Sequence, residues 1–103
     1  MEQEERAYRN ALENISNAVK SQMFGKPCYK IRGKAFVCFF ENEMVFKLSG
    51  EAHQDALSLD GAQLFDPSKK GRPMKAWVQL PYHHHKQWEF FALKAVTFVL
   101  ANL

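Results

Sequence analysis

The stretch from residue 23 to residue 48 constrains the fold more than any other part of the chain. It reads as three short strands, 27–32, 34–40 and 44–48, broken at Arg32-Gly33-Lys34 and Glu41-Asn42-Glu43. Apolar and aromatic runs between tight, Gly- or Asn-containing breaks predict antiparallel hairpins. Alternation along the strands puts Val37, Phe39, Phe46 and Leu48 on one face of the sheet and Tyr29, Ile31, Phe36, Phe40 and Val45 on the other. Phe36-Val37-Cys38-Phe39-Phe40 is apolar on both sides. Such a strand is either central and covered on both faces, or lies in a sheet that gives one face to a partner. Lys47 is a lone charge on a strand that otherwise reads as buried, as expected of a snorkelling edge cation.

The two cysteines, Cys28 and Cys38, fall on neighbouring strands of the first hairpin. A two-residue loop at Arg32-Gly33 sets Cys28 opposite Val37 and Pro27 opposite Cys38. The thiols then point to opposite faces and do not bridge. They are expected to be unpaired, partly buried structural thiols.

Helices are expected on both sides of the meander. Over residues 2–22, Tyr8, Ala11, Leu12, Ile15, Ala18 and Val19 recur at three- and four-residue steps, a core-facing stripe. Gly25 and Pro27 end that helix. Ser49 is placed to cap a short helix over 50–57. Two more strands follow, 62–65 and 75–80, joined by a polar loop over 66–73 that is expected to be exposed. A terminal helix over 84–100 carries an apolar stripe of Trp88, Phe91, Ala92, Ala95, Phe98 and Val99. Phe90, Leu93, Val96 and Leu100 widen that stripe nearly all round, so the helix is deeply buried or packs on more than one surface. The reading is one α+β domain over 1–103, an antiparallel sheet of about five strands in the order α-β-β-β-α-β-β-α.

Residue chemistry points away from turnover. His83-His84-His85 are consecutive, and three neighbours on a helix, about 100° apart, cannot share one ion. A closed site would need further ligands that the flanking sequence does not supply. No metal and no cofactor is expected. There is no glycine-framed serine, phosphate-binding glycine loop or dinucleotide fingerprint. Glu41 and Glu43 flank an exposed turn and should both be solvated, and Asp55 and Asp60 have no evident partner. No catalytic residue is assigned.

The interaction candidates are basic. Lys69, Lys70, Arg72 and Lys75 line the 66–73 loop and its exit, and Lys30, Arg32 and Lys34 flank the first hairpin turn. Cations on flexible turns grip phosphates, so nucleic-acid binding at these seven residues is one expectation. The net charge is only +3, which equally suits a solvated Lys-rich surface. No segment reaches the roughly 20 apolar residues that span a bilayer. The acidic start is unlike a secretory signal, so cytoplasmic residence is the default.

Several pieces together resemble the N-terminal domain of the TfoX/Sxy competence-regulator family and, more distantly, the YjbR-like small α/β proteins. They are Met23-Phe24-Gly25 before the first strand, Gly33-Lys34-Ala35-Phe36 opening the second, and Asn42-Glu43-Met44-Val45-Phe46-Lys47-Leu48. Leu64-Phe65-Asp66, Arg72-Pro73-Met74 and Trp77-Val78-Gln79-Leu80-Pro81 complete the set. The resemblance runs from about Ile15 to the terminal helix. It implies an antiparallel sheet between helices, with Gly25 and Gly33 shaping turns and Phe36 and Phe46 in the core. It implies no catalytic residue. It implies a non-enzymatic regulatory role exercised through a protein partner. Self-association as a homodimer is a separate expectation, drawn from the sheet face that the two-sided apolar strand 36–40 would give to a partner. The helical C-terminal domain of full-length regulators has no counterpart in this chain, so a stand-alone role is expected.

Overall fold

The computed structural model describes residues 2–103. Among them, α1 (Glu2–Leu12) leads into β1 (Val19–Met23), β2 (Lys26–Ile31), β3 (Lys34–Phe40) and β4 (Glu43–Lys47). Then come α2 (Gly50–Leu57), β5 (Gln63–Phe65), β6 (Met74–Leu80), a 3₁₀ stretch (Tyr82–Gln87) and α3 (Trp88–Ala101). The strands form one antiparallel sheet in the order β1-β2-β3-β4-β6-β5. The expected α+β architecture holds, with a sixth strand. No helix among the described residues is long and apolar enough to cross a membrane.

The sixth strand comes from the second half of the expected first helix. The stripe of Tyr8, Ala11, Leu12 and Ile15 is real, and all four are buried. The helix nevertheless stops at Leu12, and Asn17 sits at φ 67. Asn14, Ser16 and Asn17 are short polar residues that favour turns over helix interiors. Val19, which continued the helical period only by coincidence, is 63% exposed on the edge strand β1. Gly25 therefore caps no helix. With Phe24 (φ 55) it forms the two-residue turn between β1 and β2. Arg32-Gly33 and Glu41-Asn42 repeat that double positive φ, the mark of type I′ hairpin turns. Ser49 is the extended residue before α2, but its side chain makes no capping bond.

The β2–β3 hairpin carries a β-bulge that changes the expected register. Tyr29 pairs with Val37, but Lys30 pairs with Ala35, so Phe36 is the extra residue on β3. A bulge of this kind sets two successive side chains on one face. Phe36 and Val37 both join the core beneath the helices, together with Tyr29, Ile31, Phe39 and Phe46. The expected placement of Tyr29, Ile31 and Phe36 beside Phe40 and Val45 is corrected accordingly. So is the cysteine register, because Cys28 lies directly opposite Cys38. Both thiols are buried and unbridged.

Among the described residues, helices cover one face of the sheet. Tyr8 and Leu12 of α1, Ala56 of α2, and Trp88, Phe91 and Ala95 of α3 pack there. The other face holds a second core of Cys28, Cys38, Phe40, Val45, Phe65 and Trp77. The sheet covers this face itself by coiling. In a flat sheet the β1–β2 turn would stand about 20 Å from β5, four strand spacings away. Instead the Phe24 and Phe65 rings are 6.5 Å apart. The two diagonal corners thus meet over the second core, and Lys69 of the β5–β6 loop bonds Glu41 of the β3–β4 turn at 3.0 Å. Lys26 lies over Phe40 and Lys47 over Trp77, at 5.8 and 5.9 Å from the ring centroids. Lys47 is thus on the central strand β4, not on an edge, and its stem covers an aromatic face.

Candidate interaction surface

The outer face of α3 is an apolar surface that the fold leaves uncovered. Trp88, Phe91, Ala92, Ala95 and Val99 anchor the helix to the sheet. Phe90, Leu93 and Leu100 are 52, 48 and 41% exposed. With Thr97 they fall at steps of three and four residues, one stripe about 15 Å long. At 100° per residue that stripe points about 150° away from the buried side. The helix is therefore apolar on two opposed surfaces, one of which the chain itself covers. Val96, half-buried against the core, borders the outer stripe, and Leu103 just past the helix is exposed.

The seven basic candidates separate into differently placed groups. Lys30 is half-buried on β2 opposite Ala35, Arg32 holds the β2–β3 turn at φ 51, and Lys34 is exposed opposite Ile31. Lys75 is exposed near the start of β6, where its carbonyl accepts a hydrogen bond from His53 Nε2 at 2.8 Å. The strand register puts Arg32, Lys34, Lys75 and the unforeseen Lys47 at the same end of the sheet. Lys69 is instead committed to Glu41.

Lys70 and Arg72 are exposed on a loop built around an acid. Asp66 accepts hydrogen bonds from Ser68 Oγ and from the amides of Lys69 and Gly71 at 3.0, 3.1 and 2.9 Å. Desolvation is the largest single influence and raises the Asp66 carboxyl, but the bonds from Ser68, Gly71, Lys69 and Lys70 together outweigh it and hold the group below the ordinary carboxylate range. The loop is exposed, as expected, yet ordered around this carboxylate. Its order should persist above the unfolded carboxyl value of about 3.9 and be lost as pH falls through the lower folded value. Amide exchange at Lys69 and Gly71 checks this, and Asp66→Ala should remove the protection at neutral pH.

The histidines are employed one by one. His84 Nε2 donates to the Asp60 carbonyl at 2.7 Å, and His83 Nε2 stands 3.7 Å from the Asp60 carboxylate. Asp60 thus has partners that its sequence context did not suggest. His85 stacks on Tyr82 at 4.4 Å and bonds its carbonyl. No three His, Cys, Asp or Glu side chains among the described residues gather as a metal ion would require.

Open grooves flank α1. One of about 330 Å³ runs between α1 and the 3₁₀ stretch, past Arg6, Asn10, Tyr82, His85 and Glu89. Another of about 230 Å³ lies against β1 and β2, past Glu5, Tyr8, Arg9, Lys20, Cys28 and Tyr29. Arg6 and Arg9 are held by Glu2 and Glu5 of their own helix. Burial pushes the phenols of Tyr8 and Tyr29 and the thiol of Cys28 above their ordinary values. Cys38 is pushed up to about 12, by burial and then by the neighbouring Cys28. These groups stay protonated at neutral pH, the reverse of an activated nucleophile. Glu4 Oε1, Tyr8 OH and Trp88 Nε1 are buried without a hydrogen-bond partner among the described residues, and such a group costs stability.

No family model matches the chain, and no curated protein or solved structure matches it.

Proposed function

We propose that this chain is a non-enzymatic regulatory module of the cytoplasm that binds a protein partner through the outer face of α3. The exposed stripe of Phe90, Leu93 and Leu100 carries the reading. An apolar face aimed away from the body of a small domain is a common mark of a protein interface. The resemblance of its strand and turn motifs to the TfoX/Sxy N-terminal domain supports a regulatory role. The thiols and phenols held protonated beside the α1 groove support a non-enzymatic one. Leu93→Asp is expected to leave the thermal midpoint within about 2 °C, since the position is half exposed, and to abolish capture of the partner. A wild-type chain that retains no protein, itself included, overturns the reading.

A second reading, nucleic-acid binding, is favoured by the gathering of Arg32, Lys34, Lys47 and Lys75 at one end of the sheet. It expects binding to a single-stranded oligonucleotide that weakens steeply with salt. Replacing Arg32, Lys34 and Lys75 by Gln should cut affinity about tenfold or more. Anisotropy showing no salt-sensitive binding by the wild type removes this reading.

A further inference from the structure

We propose that the occupant of the outer α3 face is a second copy of this chain, its α3 running parallel to the first. The inference rests on reading that face as an interface and names the partner. The residue pattern carries it. Phe90, Leu93, Thr97 and Leu100 occupy the a and d positions of two consecutive heptads, the seam of a two-stranded helix pair. Glu89 then takes a g position, and Lys94 the e position five residues on. In a parallel pair, g of one helix meets e of the other at that offset, so Glu89 of each copy faces Lys94 of its mate. An antiparallel pair would align Glu89 with its own flank of the second helix, and Lys94 likewise, which wastes both charges.

Two further observations fit this arrangement. The next g and e positions are Val96 and Ala101, which add apolar cover without a like-charge clash. Thr97 is a polar residue on the seam, but its Oγ1 already donates to the Leu93 carbonyl at 3.1 Å. It can be covered without leaving an unpaired donor. Among the described residues neither Glu89 nor Lys94 has an ion-pair partner in the single chain. Lys94 instead lies over the Phe90 ring at 5.3 Å. The seam is short against the roughly 1,200–2,000 Å² of a standard interface, so the dimer should be concentration-dependent.

Sedimentation equilibrium of the full chain, from low to high micromolar concentration, tests the proposal. The wild type should pass from monomer to dimer. Glu89→Lys and Lys94→Glu should each weaken dimerisation about tenfold, since two symmetry-related pairs become repulsive. The double exchange should restore it to within about threefold. A wild type that stays monomeric, or a dimer that neither single reversal weakens, overturns the proposal. If the wild type is monomeric and Leu93→Asp still abolishes capture of a different protein, self-pairing fails and the interface reading stands.

Discussion

Phe65→Ala should cost about 3–5 kcal/mol of folding stability, the range for deleting a large aromatic from a closed core. Phe65 is fully buried although its strand has only three residues and lies at the sheet edge. Its ring meets Phe40 at 5.1 Å, and Phe24 and Trp77 at 6.5 Å each. No helix stands behind it, so nothing collapses to fill the space. Single domains hold only about 5–15 kcal/mol in all, so this one substitution should take a large fraction. Urea denaturation checks it, through a fall in midpoint at an unchanged slope. The comparison with Phe24→Ala is informative because Phe24 is 60% exposed and sits at φ 55, costly for an aromatic residue. Its ring closes the corner but stays mostly in water, and alanine keeps the same backbone strain, so removal of the ring should cost no more than about 1 kcal/mol. Equal losses at the two positions would mean that the second core is not closed by coiling of the sheet.

The meander was legible because its signals are local. The break at Arg32-Gly33 and the one at Glu41-Asn42 each join apolar runs of strand length, and β3 spans 34–40 as its pattern demands. What escaped was set by tertiary context. The period of Tyr8, Leu12 and Ile15 ran on through Val19, and only the Asn14–Asn17 polar cluster hinted that the helix had ended. The bulge at Phe36 could not be read, because an extra residue leaves no composition signal and is selected by what packs on each face. The slip of one position moved Cys28 opposite Cys38 and turned Tyr29 and Ile31 toward the helices. The coil of the sheet was equally hidden, since it depends on Phe24 and Phe65, far apart along the chain, finding each other. For the interaction surface, the nearly all-round apolar pattern over residues 84–100 already marked α3 as too apolar for one contact. It did not reveal that Phe90, Leu93, Thr97 and Leu100 would face outward as a group. Their heptad spacing was the available signal.

Mild alkali should destabilise this chain well before its ordinary surface groups titrate. In the unfolded chain a thiol loses its proton near pH 8.5. In the folded chain burial holds Cys38 protonated to about 12 and pushes Cys28 up as well, against the pull of Lys30 and Ser21. Between those values the unfolded state binds fewer protons than the native one, so unfolding becomes easier as pH rises. The stability is fully present below about 8.5 and is lost progressively toward 12. Cys38 alone should remove about 2 kcal/mol between pH 8.5 and 10, at about 1.4 kcal/mol for each pH unit. Above pH 10 the raised phenols of Tyr8 and Tyr29 act in the same direction, so the interval from 8.5 to 10 belongs to the thiols. Urea midpoints measured across it should fall for the wild type and stay nearly level for a Cys28→Ala, Cys38→Ala double variant. A wild-type midpoint that stays level to pH 10 would mean that the thiols reach water. A variant that falls as steeply as the wild type would place the alkaline sensitivity elsewhere. The same burial makes both thiols slow toward a neutral-pH thiol reagent in the native chain, with reaction following unfolding rather than preceding it.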